Sequence, residues 1–442
     1  MDALFSPLFP IPDPSAWRTQ VQKELNDQNA YESLRWHTDE GFIMEPYYTT
    51  GDLAHLPLNA IQEAQKQRPG WLNTPSYSVS NAKEANGYLR DWITRGTDAL
   101  VVRLDQHPDA VTLLQGIKLS ETPIFFQVHS EADSIQFVLD LKTVAPYQLK
   151  GGLLTVPDNL VAEITRLTLD SPQFRTICAS SHAFHNAGAT ATQELAYTLA
   201  SLTDTYDQLT NEGLSIDQLT AKTMLSVSVG TSYFMEIAKL RAFRVLYRRF
   251  LSAYSVTGAL PLFIHCQTST FYDATVTPYT NLLRATTEAM AAIIGGCDAL
   301  TIHPYDTVFR DAAAAPDAEF AERIARNVSF LLKDESYLDK VADPAAGSYY
   351  VETLTHQLAE SAWNLFLDVE TRGGLKKALI DGFVQTEIER SYQARVEAVR
   401  RGQVLVGVNK FRVDEQNALK SAHSVPKSSN PLPDRRLGEE FE

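Results

Sequence analysis

Residues 224–267 combine the segment MLSVSVG at 224–230, a helical pattern over Tyr233–Ala253 and the segment PLFIHCQ at 261–267. Continuous apolar runs of this kind are typical of parallel strands buried on both faces, and the helix between them supplies the crossover that parallel strands need. Eight such apolar segments follow one another, at 99–104, 123–128, 146–154, 175–180, 224–230, 261–267, 299–304 and 340–347. The count predicts an α/β protein built as a (β/α)8 TIM barrel, with its functional groups at the carboxyl ends of the strands.

The length of 442 residues exceeds what a barrel needs and leaves room for additions at both ends. We predict an N-terminal arm at 1–70, the barrel at 71–350, a C-terminal helical segment at 351–411 that packs on the barrel, and a polar linker or tail at 412–442. Ser80 is the expected N-cap of the helix that leads into the strand at 99–104. The pair Gly151-Gly152 is expected to be an ordinary breaker at the end of an element.

A formal net charge of −15 opposes binding to nucleic acid or to an anionic membrane through a general basic surface. The three cysteines are too widely spaced for a disulfide framework or a CxxC metal site, which favours a reducing compartment. The start of the chain lacks a signal-peptide pattern, and no apolar run approaches the ~20 residues that span a bilayer. We therefore expect a cytoplasmic protein without nucleic-acid or membrane partners.

Polar side chains cluster where the predicted strands end: His182 and His185, then His265, Gln267 and Ser269, then His303, and Asp343. Such residues often only satisfy neighbouring backbone groups. Histidines with Asp343 could instead form a metallohydrolase site, but the strand at 99–104 ends without a His-x-His pair. A nucleophilic Cys266 beside His265 is disfavoured because neighbours on a strand point to opposite faces.

Several motifs, in order along the chain, resemble the adenosylcobalamin-dependent methylmalonyl-CoA mutase family. They are HNAGAT at 185–190, QELAYTL at 193–199, FMEIAKLRA at 234–242, HCQTS at 265–269, EAMA at 288–291, RIARN at 323–327, Asp343-Pro344 and GVNK at 407–410. The resemblance implies a barrel that holds a CoA thioester along its axis and a separate domain that supplies the cobalamin. The reaction it implies is the interconversion of methylmalonyl-CoA and succinyl-CoA.

The chain departs from the family at the positions that carry chemistry. Ser76 stands where the family has its catalytic Tyr, and the neighbouring Tyr77 is offset by one residue. Ala183 replaces the active-site His, His182 the preceding Tyr, Asn186 a nearby Glu, and Phe263 the Arg that meets the CoA. The resemblance therefore implies no catalytic residue and no metal in this chain, only degenerate site positions: Ser76, Tyr77, His182, Ala183, Asn186, Phe263, His265, Gln267, Ser269 and His303.

These departures resemble the small, non-catalytic subunit of heterodimeric methylmalonyl-CoA mutase. The chain is then expected to bind no cofactor, with adenosylcobalamin and substrate held by the large catalytic subunit. The family's Asp-x-His-x-x-Gly motif does not appear, and we attribute the near-match at residues 105–110 to chance. The arm is expected to contribute aromatic and apolar contacts to the heterodimer: Trp17, Leu34, Trp36, Phe42, Tyr47 and Tyr48.

Two alternatives stay open at this point. The chain could be a catalytic CoA-thioester mutase that uses a separate cobalamin-binding polypeptide, with a site rebuilt from His182, His265 and His303. The metallohydrolase remains a third hypothesis.

Overall fold

The computed structural model describes residues 14–25, 30–104, 109–128, 134–256, 261–309, 318–413 and 432–442. Eight parallel strands form the centre of this part of the protein. The strands are β1 (Leu72–Asn73 and Ser76–Val79), β2 (Leu100–Leu104), β3 (Ile124–Val128), β4 (Gly151–Thr155), β5 (Phe174–Arg175 and Ile177–Ser180), β6 (Thr223–Val229), β7 (Phe263–Thr268) and β8 (Ala299–Thr301). Residues 105–108 of the near-match lie outside the described part of the chain.

The ring of strands closes because β1 and β5 each pair on both sides. In β1, Leu72–Asn73 pairs with β8 and Ser76–Val79 pairs with β2. In β5, Phe174–Arg175 pairs with β4 and Ile177–Ser180 pairs with β6. All of these pairings are parallel, so the predicted (β/α)8 barrel is confirmed.

The sequence misplaced one strand of the barrel. Residues 340–347 form no strand: a short 3₁₀ helix at Leu338–Lys340 leads into turns, and Asp343 forms an ion pair with Arg241. Asp-Pro and Ala-Ala-Gly sequences favour turns, so the predicted last strand was wrong. The missing strand is β1, which precedes the other seven and contains Pro75 and two serines instead of an apolar run.

The strand predicted at 146–154 begins only at Gly151, and the two glycines lie inside it. A Cβ on Gly151 would lie 2.0 Å from the carbonyl oxygen of Ile124, and a Cβ on Gly152 would lie 2.3 Å from that of Arg175. Both values are far below a van der Waals contact, so β4 needs glycine to approach β3 and β5. The expectation that this pair breaks an element was therefore wrong.

Helices follow most strands and cover the outside of the ring. Their bounds are Ala82–Thr94, Ala110–Leu113, Ser134–Val144, Val161–Leu167, His182–Ala187, Ala191–Asn211, Ile216–Lys222, Tyr233–Ala253, Pro278–Ile294 and Ala318–Phe330. Asn81, not Ser80, caps the first of these, because its side chain accepts from the backbone N–H groups of Lys83 and Glu84. No helix in the described ranges is long and apolar enough to cross a bilayer.

Three more helices follow the barrel, at Tyr349–Thr371, Leu375–Ile380 and Phe383–Arg400. The first packs against Ala191–Asn211 and Tyr233–Ala253. The end of the chain also contacts the barrel: Leu432 and Leu437 are buried, and the Leu437 N–H donates to the carbonyl of Phe271 over 2.8 Å. Residues 432–442 therefore dock on the loop after β7, which the polar composition of the predicted tail did not indicate.

The N-terminal arm divides into two parts. Met44 is fully buried, and the Glu40 carboxylate accepts from the N–H groups of Ala191 and Thr192 over 2.9 and 2.8 Å. This contact caps a helix N-terminus with a negative charge and fixes the second half of the arm to the chain's own barrel. In contrast, the helix Pro14–Leu25 has no buried residue.

Candidate functional site

The side chains inside the ring form a lower apolar layer and an upper polar layer. The lower layer contains Leu72, Ala99, Val101, Phe125, Leu154, Cys178, Met224, Phe263 and Ala299. Phe125 of β3 stacks on Phe263 of β7, with ring centroids 5.6 Å apart, so the two rings meet across the lumen. The position that the resemblance assigns to a CoA-contacting Arg is thus part of an aromatic stack.

Ser76 and Tyr77 lie on opposite faces of β1. Ser76 pairs with Val101 and shares its lumen face, whereas Tyr77 packs outside the barrel on Tyr88 and Trp92 at centroid distances of 5.4 and 5.7 Å. The Ser76 hydroxyl is buried and makes no hydrogen bond within the described residues. Tyr77 therefore cannot supply a phenol to the lumen in place of the missing one.

A chain of hydrogen bonds crosses the upper lumen through Ser228, His182, Ser226, His265, Thr301 and Thr74. Its direction follows from the last bond, in which the Thr301 hydroxyl donates to the carbonyl of Thr74 over 2.7 Å. The same hydroxyl must accept from His265 Nε2 at 2.9 Å. His265 is then protonated at Nε2, and its Nδ1 accepts from the Ser226 hydroxyl at 2.8 Å.

The same reasoning gives the direction of the remaining hydrogen bonds in this series. Since Ser226 uses its proton on His265, its oxygen accepts from His182 Nε2 at 2.8 Å. His182 Nδ1 then accepts from the Ser228 hydroxyl at 2.7 Å. Every ring nitrogen of His182 and His265 has a hydrogen-bond partner when both imidazoles are neutral, so no contact in this series requires either ring to be protonated further.

The electrostatics agree with neutral imidazoles. Burial, reinforced by the charge of Arg103, lowers the pKa of His265 to about 3. Burial, with further contributions from nearby histidines and Arg103, also lowers the pKa of His182 well below its ordinary value. Neither group is a good general acid at neutral pH, because neither is in the imidazolium form that readily gives up a proton.

His185 and Ser269 belong to a different cluster, outside the ring. His185 bonds Glu194 through Nδ1 at 2.8 Å and Ser269 through Nε2 at 2.7 Å, while Lys239 contacts the Glu194 carboxylate at 3.1 Å. Burial would raise the pKa of Glu194, but Lys239 and His185 outweigh it and lower that pKa. The cluster is a buried, mutually compensated ion network that holds two helices to the barrel.

The other candidate positions are dispersed. Ala183 packs toward the core outside the ring, and the carbonyl of Asn186 accepts from the N–H of Arg435 at 3.2 Å. Gln267 pairs in register with Ser228 and is half-buried, and the backbone N–H of His303 donates to Thr268 Oγ1 at 2.8 Å. Only two predicted positions, His182 and His265, join the lumen chain.

Three hydroxyl groups of that chain were not among the predicted residues. Ser226 and Ser228 alternate with apolar residues in MLSVSVG, and Thr301 lies on β8. The period of two was a readable signal, because alternate residues of a strand share one face.

Metal binding finds little support in this geometry. No group of three or more His, Cys, Asp or Glu side chains is placed to hold a metal ion within the residues that the structure describes. Both ring nitrogens of His182, His185 and His265 are already in hydrogen bonds. Cys266 is buried on the outer side of β7, away from the His265 ring, which removes the geometry for a Cys–His pair.

The closed ring of eight parallel strands, with a lumen filled by side chains, defines a (β/α)8-barrel protein. The family described as methylmalonyl-CoA mutase matches residues 156–431. The methylmalonyl-CoA mutase small subunit of Porphyromonas gingivalis is 31% identical over 484 aligned residues, which cover 100% of this chain and 77% of the relative. The chain belongs to the methylmalonyl-CoA mutase family.

Longer relatives match as well. The methylmalonyl-CoA mutases of Cereibacter sphaeroides and Rhizobium meliloti are 31% and 30% identical, and the alignments cover 92% and 91% of this chain. The chain spans only 65% and 64% of their lengths. Among solved structures, dihydropteroate synthase from Anaplasma phagocytophilum gives a TM-score of 0.32 at 12% identity, covering 59% of this chain and 99% of that chain. The fold assignment rests on the strand pairings, and so weak a likeness adds nothing to it.

Proposed function

We propose that this chain is the small, non-catalytic subunit of a heterodimeric, adenosylcobalamin-dependent methylmalonyl-CoA mutase. The large subunit would bind the cobalamin and the CoA ester and would interconvert methylmalonyl-CoA and succinyl-CoA. The observation that carries the proposal is the lumen chain of neutral, fully hydrogen-bonded groups. It places no proton donor of suitable pKa beside a substrate, and Ser76 and Phe263 stand at the positions of a catalytic Tyr and a CoA-contacting Arg.

Among the residues that the structure describes, the histidines of the barrel do not fit a cobalamin. A lower axial ligand needs an imidazole nitrogen that is free to bind the metal, and His182, His185 and His265 use both ring nitrogens in contacts with hydroxyl or carboxylate groups. We therefore assign the cofactor to the partner and derive no reaction step in this chain.

Exposed apolar side chains of the arm support a role in association. Trp36 and Tyr47 are 38% and 37% exposed, and Leu34 is 43% exposed. Trp17 stacks on Tyr47 with centroids 4.9 Å apart, which joins the helix Pro14–Leu25 to this apolar surface. Aromatic side chains commonly dominate association free energy, so this surface suits a protein partner.

The decisive experiment mixes the purified full chain with the large mutase subunit of the same organism. We expect the chain alone to show no isomerase activity and no stoichiometric cobalamin spectrum, and the mixture to elute as a 1:1 complex with activity. Turnover by this chain with a separately supplied cobalamin-binding polypeptide would instead establish the catalytic alternative and overturn the proposal.

The arm is tested by deleting residues 1–35, which keeps Glu40 and Met44 in place. We expect the deletion to weaken the complex by about tenfold or more and to leave the thermal transition of the free chain nearly unchanged. Tyr147→Ala is the matched control, because this aromatic is 60% exposed on the barrel, away from the arm. Undiminished affinity of the truncated chain would exclude residues 1–35 from the interface.

A further inference from the structure

Residues 432–442 lie as a strap across the loop that follows β7, at the carboxyl-terminal face of the barrel. The strap contacts alternate residues of that loop through three hydrogen bonds. They run from the Leu437 N–H to the carbonyl of Phe271 at 2.8 Å, from Arg436 Nη1 to the carbonyl of Asp273 at 3.0 Å, and from the Thr275 N–H to the Glu442 carboxylate at 2.7 Å. The middle of these loop residues, Asp273, is therefore covered by the strap.

The carboxyl group of Asp273 is buried without a hydrogen bond. Asp273 is 5% exposed, and within the residues that the structure describes only the charges of Arg284 and Arg436 act on its carboxyl group. A carboxylate that is held away from water without donors is costly, so such a group takes up a proton. Burial raises the pKa of Asp273 from the ordinary 3.8 to about 8, although the two arginines oppose this change. At neutral pH the docked strap therefore covers a mostly neutral carboxyl group.

The helix Pro278–Ile294 faces Asp273 from the barrel side with Arg284 and Glu288. Arg284 donates its N–H groups to other acceptors. Glu288 is 1% exposed; one of its oxygens accepts from the Ser269 N–H at 3.0 Å, and the other has no partner within the described residues. Burial, reinforced by the charge of Asp273, raises the pKa of Glu288 well above its ordinary value. The helix therefore gives Asp273 no hydrogen bond, and its acid Glu288 is itself held neutral.

The strap itself brings Arg436 and Glu442 to this loop. Arg436 donates to both oxygens of the Glu442 carboxylate at 3.1 Å, and the same carboxylate accepts from Thr275. Burial would raise the pKa of Glu442, but its hydrogen bonds with Arg436 and Thr275 outweigh burial and lower that pKa. Glu442 thus stays ionised across the neutral range, and Asp273 is the acid beneath the strap whose charge changes there.

We propose that the strap is a proton-linked cover, which stays docked while Asp273 holds a proton and lifts from the loop after β7 as the pH rises. Lifting exposes apolar surface, because Leu437 packs in one cluster with Phe271, which is fully buried. It also opens a cavity of about 150 Å³ that Leu437 of the strap and Trp36 of the arm both line. The device goes beyond the proposed function, because it makes exposure of this face of the barrel depend on pH.

The size of the effect follows from the two states of Asp273. Once the strap lifts, this carboxyl group meets water and its pKa returns towards the ordinary value. The docked state then holds a proton that the lifted state releases, so a rise in pH favours the lifted state. The equilibrium constant for docking should fall by up to about tenfold for each pH unit between about 4 and 8, and it should stay level above about 8.

The test measures amide hydrogen exchange of the full chain between pH 5.5 and 8.5, with each rate divided by the intrinsic rate at that pH. The Leu437 N–H is the probe, because it bonds the loop only while the strap is docked. We expect its protection to fall by about tenfold or more between pH 6 and 8 in the wild-type chain. In Asp273→Asn, which has no proton to lose, the protection should stay level. Leu437→Ala should lower the protection at every pH and keep the wild-type slope, because it weakens packing and leaves Asp273 in place.

Asp91→Asn is the matched control, since this Asp lies on the helix Ala82–Thr94 with its side chain 45% exposed. The control should show the same pH dependence as the wild-type chain, and the amides of β6 should stay protected throughout. Protection of Leu437 that does not change with pH in the wild-type chain, or an equal slope in Asp273→Asn, would overturn the proposal. The measurement needs neither a partner subunit nor activity, so this proposal and the proposed function succeed or fail separately.

Discussion

Ser226→Ala tests the proton order of the lumen chain. Removing this hydroxyl leaves His182 Nε2–H without an acceptor and His265 Nδ1 without a donor, since Ser226 contacts each at 2.8 Å. An unsatisfied buried polar group costs about 1–3 kcal/mol. His265 is 1% exposed and should incur the full cost, whereas the half-buried His182 can regain a water. We therefore expect a loss of about 2–4 kcal/mol in the free energy of unfolding.

Two matched variants sharpen the comparison. Ser228→Ala removes only the first hydroxyl of the hydrogen-bonded series, so His182 Nδ1 loses its one donor. This change should lower the free energy of unfolding by about 1 kcal/mol. Ser78→Ala changes an exposed serine of β1 and should stay within about 0.5 kcal/mol of the wild-type chain. Thermal and urea unfolding at pH 7 give the ranking. If Ser226→Ala costs no more than Ser78→Ala, the two imidazoles do not depend on this hydroxyl and the deduced order is wrong.

Three further outcomes follow from the same contacts. The pKa of His265 is lowered to about 3 in the folded chain, so on acidification the unfolded state binds a proton at this residue before the folded state does. The free energy of unfolding should therefore fall by about 1.4 kcal/mol per pH unit as the pH drops from about 6.5 towards 3. His265→Gln should flatten that slope in urea titrations, and an unchanged slope would contradict a neutral His265. Ser76→Tyr combined with Ala183→His should give no mutase turnover above background in a steady-state assay with a cobalamin domain supplied, because Ala183 packs toward the outer core. Lys222→Met should lower the free energy of unfolding by about 2–4 kcal/mol, because Lys222 is 1% exposed and its ammonium bonds three backbone carbonyls. A loss below about 0.5 kcal/mol in urea unfolding would show that these bonds do not stabilise the fold.

The sequence predicted the barrel well because seven of its strands lie in short, mostly apolar segments of the kind that a buried parallel sheet requires. It missed β1, whose Leu72–Asn73 and Ser76–Val79 halves are short and separated by Thr74-Pro75. That strand is recognised by its partners on both sides, not by its own composition. A pattern read one segment at a time cannot find such a strand.

The site was predicted only in part for a related reason. His182 and His265 were expected near one another because both follow or lie on strands whose carboxyl ends meet. In β5, Thr176 and Ile177 both face outward, since Thr176 bonds Thr165 on a covering helix at 2.7 Å and Ile177 belongs to the outer core. Two consecutive outward residues break the alternation of a strand, so side-chain direction at this place follows from tertiary contacts and not from the sequence period.

Two of the motifs that carry the family resemblance belong to the structural frame of the barrel. QELAYTL and FMEIAKLRA contribute Glu194 and Lys239 to the buried network outside the ring, and the second motif also contributes Arg241. Arg241 is fully buried and bonds the Glu352 carboxylate at 2.7 Å, which ties Tyr233–Ala253 to Tyr349–Thr371. Removing one partner of such a pair leaves an uncompensated buried charge and costs about 3–5 kcal/mol. These residues hold the barrel together whether or not the chain is catalytic, so the motifs that contain them establish membership of the family, while the proposed lack of activity depends on the lumen.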